Sequence, residues 1–118
     1  MIDDEFLIRW SIREAMTLAG HAVAEAGSGR EALEVLSSSP APNVILLDFR
    51  LPDSNDLGLL ETIRRRVPSS AVIMMTAYGT PEIEEGARRL GAFRVLGKPV
   101  ELVTLVPLVR EAYAARPH

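Results

Sequence analysis

Four apolar runs in this sequence end at residues that could do chemistry together. Val44-Ile45-Leu46-Leu47 runs into Asp48, Ala71-Val72-Ile73-Met74-Met75 into Thr76, and Phe93-Arg94-Val95-Leu96 stops just before Lys98 in Gly97-Lys98-Pro99. Met1-Ile2 reads as the tail of a similar run, ending at Asp3-Asp4-Glu5. In an open α/β sheet, side chains at strand ends gather in the crevice beyond the carboxyl edge, so residues far apart in sequence meet there. Acids, a lysine and a hydroxyl gathered in one crevice have the layout of an aspartate that accepts a phosphoryl group. Attack of a carboxylate on phosphorus gives an acyl phosphate and brings two negative groups together, so cations must offset the repulsion. Magnesium, a hard octahedral ion, takes one or two carboxylates plus phosphate oxygens, a requirement that Asp4 and Asp48 meet. Lys98 supplies a point charge, and Thr76 a hydroxyl donor, for the phosphoryl oxygens.

The elements that must position these residues alternate helix and strand, the pattern of parallel strands with crossover helices. A helix from about Glu5 to Ala19 is expected to bury Ile8, Ile12, Ala15 and Ala19, with Gly20 as its stop. A short strand follows at Ala22 to Ala26. Ser28 with Glu31 forms a capping-box pattern for a helix through Leu36 that buries Ala32, Leu33 and Leu36. Ser37 to Asn43, holding Pro40 and Pro42, reads as a loop, and Leu57 to Arg66 as the third helix. Thr80-Pro81 is an N-cap and first-turn pair for a helix through Leu90, terminated by Gly91. The last helix spans roughly Leu102 to Ala115 and contains Pro107, which removes a backbone donor, so a late start or a kink is expected. The opening strand has only Met1 and Ile2 before the acids, where a buried parallel strand usually needs about five residues, so the first strand reads as cut short.

The 118 residues are one domain's worth. With 47% apolar and 25% charged residues the chain is globular, and a net charge of −3 gives no basic footprint for direct binding to nucleic acid. There is no cysteine, hence neither a disulfide framework nor a thiolate site. No apolar run approaches the roughly 20 residues that span a bilayer, and no leader pattern is present, which fits a soluble cytoplasmic protein without membrane partners.

The motifs Asp3-Asp4-Glu5, Leu47-Asp48-Phe49-Arg50-Leu51-Pro52-Asp53, Met75-Thr76-Ala77-Tyr78-Gly79 and Gly97-Lys98-Pro99, in that order, resemble those of receiver domains of bacterial two-component response regulators. The likeness covers essentially residues 1–118. The intervals of 28 residues from Asp48 to Thr76 and 50 from Asp48 to Lys98 are similar to those in receivers of nitrogen-regulation-type enhancer-binding regulators. The resemblance implies a flavodoxin-like, doubly wound α/β fold: a five-stranded parallel sheet of order 2-1-3-4-5 with five helices on its two faces. It implies that Asp48 is the phosphoacceptor, with Thr76 and Lys98 as its switch residues. It also implies that Asp4 and Asp48 bind Mg2+ directly, Asp3 through water, and Arg50 through its backbone carbonyl. The implied partners are a sensor histidine kinase, a second copy in a homodimer, and a C-terminal effector domain that controls transcription. Such a domain assists its own phosphotransfer and slow dephosphorylation but is not a turnover enzyme, and Arg50 and Tyr78 are placed to shield the phosphate.

Three positions depart from the pattern. Val95 stands where most receivers carry an aromatic residue, Asp56 where they carry glycine, and Pro107 lies in a helix that many use to dimerise. Phe93, two residues before Val95, is expected on the same strand face but matches a packing position. Taken singly, Asp3, Asp4 and Glu5 read equally well as acids at a helix N-terminus and Lys98 as a solvated turn residue; the conjunction decides for the site. His21 and His118 have no ligand partner at useful spacing and read as surface residues. Trp10 and Met16 read as packing or partner-face residues, and Arg64-Arg65-Arg66 as a solvated helix end meeting the last carbonyls. Three alternatives stand beside this reading. A haloacid-dehalogenase-type phosphatase needs a second aspartate where Arg50 stands. A flavodoxin needs a Ser/Thr/Gly phosphate loop where the acids stand. A phosphorylation-independent binding module is favoured only by Val95 and the short first strand.

Overall fold

The computed structural model describes residues 1–2, 6–38, 40–50, 53, 57–77 and 79–116, without the side chain of Phe6. Five helices, α1 (Phe6–Leu18), α2 (Gly29–Ser38), α3 (Gly58–Arg66), α4 (Pro81–Arg89) and α5 (Leu102–Ala115), alternate with strands β1 (Val44–Asp48), β2 (Ala71–Thr76) and β3 (Arg94–Gly97). The strands form a parallel ladder in the order β1-β2-β3, with Asp48 opposite Met75 and Thr76 opposite Gly97. Ile2 bridges Leu47 on one side and Ala26 on the other, both parallel. Reading across the sheet, the segments stand in the order Ala26, Ile2, β1, β2, β3, which is the expected 2-1-3-4-5 arrangement with its first two members reduced to single bridges.

Of the expected strand at Ala22 to Ala26, Ala26 forms a bridge, to Ile2. Ala26 donates its N–H to the Met1 carbonyl at 2.9 Å, and Ala24 accepts from the Met1 nitrogen at 2.7 Å. Below them lies a cavity of about 520 Å³ lined by Ile12, Met16, Val23, Val44, Leu46 and Val109 among others.

β2 is buried along all six residues, as the central strand of a sheet covered on both faces must be. Its alternation divides the core. Val72 and Met74 join Ile45, Leu47, Leu60, Ile63 and Ala87 on the face covered by α2, α3 and α4. Ile73 and Met75 join Leu46, Ile12, Met16, Leu105 and Val109 on the face covered by α1 and α5. Burying each such side chain stabilises the fold by roughly 1.5–3 kcal/mol.

Local signals set most helix ends. Gly20 and Gly91 adopt φ of 92° and 98°, where an L side chain is strained, and stop α1 and α4. In both, the following residue donates back into the last turn, His21 to Met16 and Ala92 to Ala87, each at 2.9 Å. The Glu31 N–H reaches Ser28 Oγ at 3.1 Å, and the Ile83 N–H reaches Thr80 Oγ1 at 3.2 Å, as their capping patterns predict.

Other expectations need correction. In α1 the buried residues are Ile12 and Met16, while Ile8, Ala15 and Ala19 are half-buried, so the stripe against β2 is narrower than the sequence suggests. Trp10 remains 47% exposed. α2 runs two residues beyond Leu36, where Ser37 and Ser38 fold back onto the carbonyls of Leu33 and Glu34. α5 starts at Leu102 and continues past Pro107 with no late start. The carbonyl that Pro107 leaves without its usual donor belongs to Val103, which is 77% exposed and open to water. Phe93 precedes β3 and packs with the α1/α5 side, whereas Val95 packs with the α4 side, because strand alternation begins only at Arg94. Arg64 does not cap its own helix; its Nη1 donates to the Ser70 carbonyl at 2.6 Å. His21 is half-buried rather than on the surface, with its Nε2 buried and unbonded among the described residues.

Candidate phosphoryl-acceptor site

Each strand delivers one candidate position to the carboxyl edge of the sheet. Asp48 is the last residue of β1, Thr76 the last of β2, and Lys98 follows the last residue of β3. The backbone fixes them before any side-chain contact is made. The Asp48 N–H donates to the Ile2 carbonyl at 2.8 Å, and the Lys98 N–H to the Thr76 carbonyl at 2.8 Å. Neighbouring strands lie about 4.8 Å apart, so Lys98 starts two strands away from Asp48, within reach of a four-carbon side chain. Its Nζ meets Asp48 Oδ2 at 2.9 Å. The other carboxylate oxygen, Oδ1, accepts the Arg50 N–H at 3.2 Å.

The pair is secluded. The Asp48 side chain is 5% exposed and that of Lys98 is 13% exposed. Thr76 is equally buried. Taking a carboxylate out of water costs several kcal/mol, and only a close cation with further hydrogen bonds repays it. Asp48 therefore has no place in this core without Lys98 or another positive partner. A hydrophobic residue would serve packing better, so packing does not account for the carboxylate.

Of the residues singled out in the sequence, the structure brings Asp48, Thr76, Lys98 and the backbone of Arg50 together. Asp3, Asp4, Glu5, Asp56, Tyr78 and His118 lie outside the described residues. Among the described residues Asp48 is thus the one acid of the expected metal set, and no group of three potential ligands occurs.

Sequence reasoning passed over Asp53. Its Oδ1 accepts the Gly29 N–H at 2.8 Å and its Oδ2 the Arg30 N–H at 2.9 Å, so the loop after Asp48 is tied to the first turn of α2. The Arg30 and Gly29 N–H groups hold its carboxyl below the usual carboxylate range. The Ser28/Glu31 pattern had already supplied a cap for α2, which hid the need for a second. Gly29 was the available signal. A Cβ there would lie 3.1 Å from Leu59 Cδ2 and 3.2 Å from Asp53 Oδ1, so the approach is close.

The sequence pattern of the response regulator receiver domain matches residues 1–110. The chain belongs to this family. It is 38% identical over 112 residues to the DNA-binding transcriptional regulator NtrC of Klebsiella pneumoniae, covering 95% of this chain and 24% of that protein. A CheY-like receiver domain protein from Methanospirillum hungatei superimposes with a TM-score of 0.90 at 27% identity, covering 96% of this chain and 90% of that one. The receiver domain of NtrX from Brucella abortus does so with a TM-score of 0.86 at 28% identity, covering 97% and 96%. The chain spans about a quarter of NtrC. As a receiver it is a phosphoacceptor signalling domain of two-component systems, and its flavodoxin-like topology is that of its structural neighbours. No described helix is long and apolar enough to cross a membrane.

Proposed function

We propose that Asp48 is the phosphoacceptor of this receiver and that its donor is the phosphohistidine of a sensor histidine kinase. The observation that supports this best is the buried Asp48–Lys98 pair at 2.9 Å, placed beside Thr76 at the carboxyl edge. A carboxylate oxygen of Asp48 attacks phosphorus, the bond from phosphorus to the imidazole nitrogen breaks, and that nitrogen keeps the electron pair. The products are an aspartyl phosphate and a free histidine. Lys98 moves from Oδ2 to an incoming phosphoryl oxygen, and the Thr76 hydroxyl donates to another.

The donors at this edge fit Mg2+. Asp48 offers a carboxylate, Asp3 and Asp4 are the next two residues of the sequence after Ile2, whose carbonyl is bonded to Asp48, and Arg50 is held against Asp48 through its N–H. Hard oxygens of this kind suit magnesium better than softer metals. Asp4, Asp48 and the Arg50 carbonyl would hold it directly and Asp3 through water. When bound, Mg2+ supplies positive charge between the carboxylate and the phosphoryl group.

The 118 residues act as one cytoplasmic receiver domain that assists its own phosphorylation and slow dephosphorylation. Similarity to NtrC extends the proposal to transcription control through an effector domain, with a homodimer as the active form. The test is intact mass after incubation with acetyl phosphate and Mg2+, run beside Asp48→Asn. The expected result is a magnesium-dependent gain of one phosphoryl group that the variant lacks. No gain, together with no response to fluoroberyllate in intrinsic fluorescence, sinks the reading and favours a binding module that works without phosphorylation.

A further inference from the structure

The stretch from Asp48 to Leu57 joins the acceptor to α3 and carries Arg50, whose N–H bonds Asp48 Oδ1. Its one described point of attachment between Arg50 and Leu57 is Asp53, which grips two consecutive N–H groups of α2 with its two oxygens at 2.8 and 2.9 Å. A residue can span at most about 3.6 Å, so fixing Asp53 confines Arg50, three residues away, to within about 11 Å of the Asp53 backbone. The attachment also divides the connection into two short pieces, each with less conformational freedom than the whole. Two features separate this from an ordinary helix cap. α2 already has a cap in Ser28, whose Oγ accepts from Glu31. The carboxylate instead comes from 24 residues away, out of the acceptor loop, and approaches over Gly29, where a Cβ would stand 3.2 Å from Asp53 Oδ1.

We infer that Asp53 is a positioning residue: it latches the acceptor loop to the N-terminus of α2 and so holds the Arg50 backbone in register with the Asp48 carboxylate. This rests on Asp48 being the acceptor. The consequence is that the readiness of the site depends on α2, an element that contributes no side chain to it.

The experiment compares the full chain with Asp53→Asn, Asp53→Ala and Ser28→Ala. Ser28→Ala loosens the same helix end while leaving the loop attached. Amide hydrogen exchange is read at Gly29, Arg30 and Arg50 without metal, Mg2+ and fluoroberyllate affinity by fluorescence or NMR, and foldedness by urea titration. In both Asp53 variants, Arg50 exchange accelerates and Mg2+ affinity weakens by about tenfold, the scale of lost outer-shell support. Ser28→Ala speeds exchange at the start of α2 but leaves Arg50 exchange and Mg2+ affinity within about twofold of the parent. Two results overturn the latch. One is Asp53 variants with unchanged Arg50 exchange and unchanged affinity. The other is Ser28→Ala matching them, because fraying of α2 would then explain everything. If the parent chain bound neither Mg2+ nor fluoroberyllate, the acceptor reading would fall. Arg50 exchange would still decide whether the latch exists, and Asp53→Asn, nearly isosteric, serves if the alanine variant does not fold.

Discussion

Lys98→Met should destabilise the metal-free chain by about 3 kcal/mol, and Asp48→Asn should abolish most of that loss. The magnitude follows from the pair itself. Unit charges at 2.9 Å attract by about 6 kcal/mol at an effective dielectric of about 20, and side chains 5% and 13% exposed gain little screening from solvent. Desolvation of the two ions cancels part of this. Removing only the lysine keeps the desolvation of Asp48 and takes away a close positive partner, while the Arg50 N–H stays on Oδ1 at 3.2 Å. Methionine fills most of the same volume, so packing changes little. In the Asp48→Asn background the carboxylate is gone, and Lys98→Met should cost less than about 1 kcal/mol, giving a coupling energy above about 2 kcal/mol. Urea titration in chelator reads all four proteins. With a slope of about 1.5 kcal/mol per molar, the single lysine variant loses about 2 M in midpoint. Losses that add within about 0.5 kcal/mol would show that the pair is not coupled and that Asp48 is stabilised by something else.

Three further outcomes follow from contacts elsewhere. Gly86 lies in the interior of α4, where alanine would ordinarily gain about 1 kcal/mol, but a Cβ there would fall 2.6 Å from Leu57 Cδ1. The end of the Leu57 side chain must rotate aside, so Gly86→Ala should gain less than that and recover the full gain in a Leu57→Ala background, with both read from urea midpoints. Pro107→Ala restores a donor for the Val103 carbonyl and should stabilise by about 1–2 kcal/mol, less than the ~3 kcal/mol of a buried interior proline because Val103 and Pro107 are both exposed. A lower thermal midpoint in Pro107→Ala would count against it. Asp53 has a folded pKa below its unfolded value, so its contribution is complete above the unfolded value and disappears as pH falls through the folded one. Asp53→Asn should be less stable at neutral pH and should converge with the parent as the pH is lowered, which a series of urea titrations from neutral to strongly acidic pH would show.

Most of the fold was legible because its signals are local. Capping residues, terminator glycines and apolar runs each act within a few residues, and α2, α4 and β1 lie close to where those signals put them. The site was legible for a different reason. Strand ends converge in a parallel sheet, so Asp48, Thr76 and Lys98 could be brought together from their positions alone, without knowledge of distances. The misses share a cause in tertiary context. Met16 is buried beside Ile12, and Ala15 and Ala19 are not, because the angle at which a helix meets the sheet decides how wide its stripe is. Phe93 departed from Val95 because alternation starts only where the ladder does. Asp53 was missed because a carboxylate that caps a helix 24 residues away leaves no mark in its own neighbourhood.

The residues at the carboxyl edge and the helix beside them differ in how firmly they are held. Asp48, Thr76 and Lys98 are held in place by backbone hydrogen bonds at the ends of β1, β2 and β3, and Asp48 and Thr76 are buried. α4, by contrast, has one fully buried residue, Ala87, and its Gly86 is in contact with Leu57 at the far end of the acceptor loop. Elements that open or shift at low cost are those with few buried apolar contacts. Val95 packs on the α4 face of β3 beside Met74, two residues from Thr76, and offers less bulk there than an aromatic ring. A displacement of Thr76 toward a phosphoryl group thus has a small side chain to push against. The acceptor loop reaches the same helix directly through Leu57. The Gly86 and Leu57 variants measure how strongly that contact couples Leu57 to α4.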